Sequence, residues 1–350
     1  MIEIDGSMME GGGQLLRMAT TYSAISSDPV KIYNIRAKRK DPGLKPQHLT
    51  TLKAAATISG AKLSGAFLGS HEIIFDPRRI KGGKYNFDIG TAGSISLFLQ
   101  CINPILLFAD KPTWISVQGG TAVNWSPTIP FLENIVYKAL KKMGGSSEIQ
   151  VNRHGFYPKG GGKVSQYTIP VQTLESFQPQ EPKINKVQGI SLCGKLPEHV
   201  AQRQAKSAEK TIDKIGLNTS IDYNVVEPVP LSPGSLICLW LEGYGVYIGA
   251  DKLGARGKPA EKVGEEAATQ LIKDIETGAH LDQHTTDHMI LPASLACGKT
   301  VFRTSLITLH TLTAIEIAKL FTDARFTVSG IIGESGTIKV EGIGLVNRGS

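Results

Sequence analysis

The sequence predicts an α/β (α+β) fold: a main domain of three repeated βαβαββ-type units, with a smaller α/β domain inserted before the third. Three observations carry this reading. Segments with the period-two alternation of strands exchange with segments of helical apolar spacing along the whole chain of 350 residues. The same order of elements recurs, as an internal repeat requires. A segment from about Glu181 to Gly278 breaks that register and follows the polar, proline-bearing stretch SFQPQEPK, which reads as a linker. The chain also exceeds the usual size of one hydrophobic core. The predicted division is residues 1–180 for repeat units one and two, 181–278 for the insertion and 279–350 for unit three.

The first unit reads as a strand (MIEID), a helix from Gly12 through TTYSAIS, a strand (VKIYNIR), a helix (QHLTTLKAAATIS) and two strands (AKLSGAFLG and SHEIIFD). The second repeats this order with strand YNFDI, a helix from Ser94 to about Phe108, strand TWISVQ, helix PFLENIVYKALKKM, and strands SEIQVNR and GKVSQYTIP. The insertion has strand VQGISLC, the polar helix PEHVAQRQAKSAEKTIDKIG, strands SIDYNVV, SLICLWLEG and GVYIGAD, and the closing helix PAEKVGEEAATQLIKDIE. Unit three gives helix HMILPASLA, strand TVFRTSL, helix HTLTAIEIAKLF and strands RFTVSG and GTIKVEG, with its first strand unassigned.

Composition excludes several classes. A 41% apolar and 20% charged chain, with mean hydropathy of −0.05, is neither disordered nor membrane-embedded. Its most apolar stretch, SISLFLQCINPILLF, is broken by Gln100, Asn103 and Pro104 and is too short to span a bilayer. The start, MIEIDGSMMEGGG, lacks the basic and apolar regions of a secretory signal, so a cytoplasmic protein is expected. The four cysteines form no CxxC pair, and Cys101, Cys238 and Cys297 sit in apolar stretches, as buried reduced thiols do. The net charge of +7 leans towards nucleotides or nucleic acid.

Four places have the ingredients of chemistry. Glu10, followed by Gly11, Gly12 and Gly13 at the start of a helix carrying Arg17, suits a phosphate: backbone N–H groups can approach an anion there, and the helix end adds positive potential. The alternative is glycines that serve only strand-to-helix packing, and neither GxxxxGK[ST] nor GxGxxG occurs. Arg36, Lys38, Arg39, Lys40 and Lys45 crowd one loop around Pro42-Gly43, facing either water or a polyanion. His280, His284 and His288, with Asp282 and Asp287 beside them, share one face if the segment is helical, which would suit zinc or manganese. Gly278 and the threonines argue instead for a loop entering a helix near Asp287. His310 follows an extended stretch and opens a helix, whose positive end disfavours imidazolium and leaves a nitrogen free as nucleophile or base; the alternative is a structural histidine.

HGFYPKGGGKV, from His154 to Val164, resembles the signature of the RNA 3′-terminal phosphate cyclase family. IDGSMMEGGGQLLR, IRAKRKDPGLKPQHL, GTAGS at Gly90 to Ser94 and DHMILPASLA from Asp287 follow in that family's order, so the similarity covers essentially the whole chain. It implies three units, each similar to the C-terminal domain of translation initiation factor three, with a smaller inserted domain. It further implies ATP-dependent conversion of an RNA 3′-phosphate to a 2′,3′-cyclic phosphate, with a divalent ion, magnesium or manganese. A covalent histidine–AMP forms first, then an RNA-phosphate–AMP, which the neighbouring 2′-hydroxyl resolves.

By the same resemblance His310 is the nucleophile, in an H-x-x-T motif with Thr313 in place and Ala314 where asparagine is frequent. Glu10 would hold the metal and the phosphates; Arg17 and Gln47 would lie around the nucleotide; Arg36 and Arg39 near the triphosphate or the RNA end. Asp287 would belong to the nucleotide pocket, with His288 where glutamine is common, and His284 would stack on adenine opposite Pro127. The implied partners are ATP and RNA 3′-phosphate ends, no membrane, and a homodimer is left open. Two alternatives are a non-catalytic ribosome-biogenesis relative, which lacks the histidine, and an enolpyruvyl-transferase-like enzyme of the same repeat architecture. His310 argues against the first; the basic loop and HGFYPKGGG argue against the second.

Overall fold

The computed structural model describes residues 1–347. The first sheet contains β1 (Ile2–Asp5), β2 (Val30–Tyr33), β3 (Lys62–Ser64) and β4 (Ile73–Asp76) in the order β1-β2-β4-β3, with helices α1 (Gly13–Ser26) and α2 (Pro46–Ser59) between strands. The second contains β5 (Lys84–Asp88), β6 (Thr113–Gly119), β7 (Ser146–Arg153) and β8 (Gly162–Ile169) in the order β5-β6-β8-β7. Its helices are α3 (Ile95–Leu107) and a helical stretch composed of α4 (Ile129–Phe131), a π-turn (Leu132–Val136) and α5 (Tyr137–Lys141). The two sheets thus share one strand order, with a parallel first pair and antiparallel pairs after it.

The chain next forms a sheet in the order β10-β9-β11-β12 from β9 (Lys183–Gly194), β10 (Thr219–Val225), β11 (Gly234–Tyr244) and β12 (Gly249–Leu253), with α6 (His199–Ile212) and α7 (Ala260–Glu276). β11 is buried on both faces, and its alternation divides it between two cores. Leu236, Cys238 and Trp240 join the main core, whereas Ile237, Leu239 and Leu241 pack with Val263, Ala267 and Leu271 of α7.

The last part holds α8 (Gln283–Leu295), β13 (Cys297–Thr304), α9 (Leu309–Phe321), β14 (Arg325–Ser329) and β15 (Gly336–Ile343), in a sheet ordered β13-β15-β14. Beside β13, Leu281 makes one isolated parallel bridge to Thr304. α1 is central: every residue from Gln14 to Ala24 is buried, against α2, α3 and α9. Its buried hydroxyls are satisfied, Thr20 and Thr21 by the carbonyls of Leu16 and Arg17 at 2.8 Å each, and Tyr22 by Ser294 at 2.8 Å.

Several sequence expectations need correction. The strand expected over 30–36 ends at Tyr33, because Asn34 and Arg36 take φ of 52° and 56°. That over 61–69 ends at Ser64, where Gly65 turns the chain at φ 73°. The strand expected to begin at Gly245 starts at Gly249. The helix placed at His288 begins at Gln283, because Asp282 caps it by accepting from the backbone N–H groups of His284 and Thr285, both at 2.8 Å. Cys297, read as buried, is exposed at the first position of β13; Cys101, Cys193 and Cys238 are buried and free. Among the described residues no helix is long and apolar enough to cross a membrane.

Candidate active site

Three helices that are remote in sequence, α1, α8 and α9, direct their first turns into one cleft of about 650 Å³. Gln14 and Arg17 enter it from α1, His284, Asp287 and His288 from α8, and His310 from α9. The loop 123–127, Leu97 and Gln100 of α3 and residues 251–253 of β12 complete the lining. None of the three helices has an acidic residue in its first turn, although Asp282 caps the start of α8 and Glu10 lies beside that of α1.

At the start of α1, Gly12 and Gly13 are sites of close approach. A Cβ on Gly12 would collide with the Glu10 carboxylate and the Arg39 guanidinium; one on Gly13 would come within 2.6 Å of His48 Nε2 and 3.0 Å of Arg17 Nη1. Glu10 pairs with Arg39, and its Oε2 is buried without a hydrogen-bond partner, 3.9 Å from His310 Nδ1. Arg17 is buried and held by Gln100, its Nε donating to Oε1 at 3.1 Å; burial lowers its pKa to about 10.

The His310 side chain is about half exposed, at 49%, and faces the cleft. Gln14 Nε2 donates to the His310 carbonyl at 3.2 Å, which turns Oε1 towards the ring. The 2.6 Å contact at Nδ1 is therefore an N–H donated to Gln14, and the lone pair resides on Nε2. Burial first, then Arg17, His284 and Arg39, lowers the pKa of His310. Thr308 caps α9 by accepting from Thr311 N at 3.0 Å, and Thr311 Oγ1 donates to Asp287 at 2.7 Å, so α8 fixes the turn that carries the histidine. Ala314 is fully buried, and the imidazole is oriented by Gln14 instead. Thr313 donates to the Leu309 carbonyl at 2.7 Å.

Burial raises Asp287 to about 7 and lowers His288 to about 3. Pro127 and His284 both line the cleft. Gln47 does not: its Oε1 accepts from Ser94 N at 2.8 Å and anchors the GTAGS turn. Arg36 is also elsewhere, its Nη1 donating to the carbonyls of Asp41 and Gly43 at 2.8 Å each and tying its own loop. The three-histidine face does not form. His280 precedes α8 and accepts from Arg303 N at 2.8 Å, and no group of three or more His, Cys, Asp or Glu able to hold a metal occurs among the described residues.

Gln14, Gln100, His48 and the β12 residues lie outside the sequence reading. Gln14 had a signal, since it shares a face of α1 with Arg17 at spacing i, i+3. His48, at the start of α2, accepts from Lys45 N at 3.2 Å; burial, then Arg17, Arg36 and Lys45, pushes it down to about 3. Asp251 of β12 accepts from Thr128 N at 2.7 Å and pins the sheet of β9 to β12 to the cleft wall.

Residues 8–328 match the family model described as RNA 3′-terminal phosphate cyclase. A protein of that name from Ignicoccus hospitalis is 44% identical over 349 residues, covering 98% of this chain and 99% of the relative. One from Methanosarcina barkeri is 45% identical over 328 residues, covering 94% and 96%, and one from Pyrococcus furiosus is 43% identical over 341 residues, covering 97% and 98%. The match runs across all three helix starts that form the cleft, and the chain belongs to the RNA 3′-terminal phosphate cyclase family.

Proposed function

We propose that this chain is an ATP-dependent RNA 3′-terminal phosphate cyclase, an enzyme of ligase type, acting through a covalent bond between His310 and AMP. One observation carries the reading: a neutral imidazole whose Nδ1–H is held by Gln14, leaving Nε2 free in a cleft of three helix N-termini.

The chemistry needs a better leaving group than a phosphomonoester offers. The Nε2 lone pair forms a bond to the α-phosphorus of ATP while the α–β bridging P–O bond breaks, and pyrophosphate leaves. An oxygen of the RNA 3′-phosphate then attacks that phosphorus, the N–P bond breaks, and AMP is carried on the RNA. The neighbouring 2′-hydroxyl attacks the 3′-phosphorus, the P–O bond to AMP breaks, and the 2′,3′-cyclic phosphate forms. Imidazolium would develop as Nε2 bonds to phosphorus, and the Gln14 carbonyl stabilises its Nδ1–H. Arg17 and the helix ends face the phosphates, and Arg39 and Glu10 flank them.

The divalent ion that the family implies fits one donor here, the free, buried Oε2 of Glu10. Magnesium is often held by one or two carboxylates plus substrate phosphates and water, so a single acid suffices. Such an ion would offset charge on the ATP phosphates as pyrophosphate departs. Asp287, His284 and Pro127 form the part of the cleft assigned to the nucleoside.

Incubation with [α-³²P]ATP tests the reading. Label should transfer to the protein in an acid-labile, alkali-stable bond, and H310A should lose both the label and cyclisation of a 3′-phosphorylated oligonucleotide while keeping its fold. Full activity of H310A would remove His310 from the mechanism.

A further inference from the structure

The HGFYPKGGG segment carries the family resemblance, yet its residues do not line the nucleotide cleft. Phe156, Tyr157 and Pro158 face a second cavity, of about 890 Å³, whose other wall comes from α6, α7 and the loop between β12 and α7. The segment is fixed against the sheet of β9 to β12. Lys159 N donates to Ser232 Oγ at 3.1 Å, and the Phe156 ring covers Gly234, where any Cβ would collide with it. Tyr157 is left 73% exposed.

The two cavities adjoin, and Val123, Asn124 and Leu253 line both. Trp125, on the same loop and 98% exposed, lines the nucleotide cleft. Two large aromatic rings left in water, one in each of two adjoining cavities, suit flat partners. The charge has one sign: no Asp or Glu lines the second cavity, while Arg203, Arg256 and Lys258 do. Arg203 and Lys258 are paired with Glu261 and Glu266; Arg256, and Lys252 at the mouth of the nucleotide cleft, make no ion pair among the described residues.

We propose that this second cavity holds the single-stranded RNA immediately upstream of the terminal phosphate, with Tyr157 stacking on a base and Arg256 meeting a backbone phosphate there, and Trp125 and Lys252 doing the same on the adjoining side of the nucleotide cleft. The proposal rests on the cyclase reading. Stacking platforms beside cations bind single strands with little regard to sequence, because every base has a π-face and every linkage a charge. With the terminal phosphate at His310, the preceding nucleotides run past the shared residues Val123, Asn124 and Leu253 towards the signature segment.

The test is a series of 3′-phosphorylated oligoribonucleotides from the dinucleotide upwards, assayed for kcat/KM on wild type, Y157A and R256E. Both side chains are exposed, so neither change opens the core. Wild-type kcat/KM should rise with length to a plateau. Each variant should lose roughly tenfold on the long RNA, stay near wild type on the dinucleotide, and keep its RNA-free labelling by ATP. R256E should also flatten the salt dependence on long RNA by about one unit of log–log slope. A flat length profile in wild type, an unchanged one in both variants, or equal losses on the dinucleotide would overturn the proposal. A wild type that cyclises no length at all would instead sink the cyclase reading beneath it.

Discussion

At His310 the sign of one pKa shift sets a pH limb. Imidazolium has no lone pair to attack phosphorus, and burial with Arg17 lowers the folded pKa below 6.5. Labelling by ATP without RNA should therefore hold its rate as pH falls through 6.5 and fail only at lower pH. R39A removes a nearby cation and frees the Glu10 carboxylate, 3.9 Å from Nδ1, so its limb should move up towards 6.5; a stationary limb would show that Arg39 does not set this pKa. Arg36 lies in the same loop but ties backbone, so R36A should lower thermal stability and leave the limb in place. E10A should raise the divalent-ion concentration needed for labelling, and an unchanged metal requirement would take Glu10 away from the phosphates.

At the scale of the element, α8 depends on Asp282. Its carboxylate accepts from His284 N, Thr285 N, Thr285 Oγ1 and Gly249 N, at 2.8, 2.8, 2.8 and 3.0 Å, joining the helix start to β12. D282A should cost about 2 kcal/mol, visible in urea melts, and weaken ATP binding because His284 and Asp287 lose their fixed turn. Normal stability in D282A would show the cap to be dispensable. This helix also shows what a sequence reveals. Alternation and apolar spacing make most strands and helices legible, and three cleft candidates stand out in their own segments: Glu10 and Arg17 from the glycines at a helix start, His310 from its place at the start of another helix. The start of α8 is capped locally, by Asp282 with the N–H groups two and three residues on, but Gly278 and the threonines give the segment the look of a loop. Gln14's partner lies 296 positions away, and Lys252 enters the cleft from a strand whose destination no local pattern states. Local periodicity reports burial, not which distant surface does the burying.

For the whole molecule, β11 binds its sheet to the rest of the chain by sending alternate side chains into two cores. Urea unfolding should therefore give one transition, coincident by circular dichroism and by tryptophan fluorescence, and L239A should shift both curves by about 2–5 kcal/mol. Two separated transitions would show that this sheet melts alone. The contact between Gln14 and His310 has a different consequence, for synthesis on the ribosome. Gln14 leaves the ribosome 296 residues before its histidine partner, so a nascent chain brings the two together only after the whole stretch between them has been translated. Under the proposed mechanism, a product terminated before codon 310 has no histidine to take AMP and spends no ATP there.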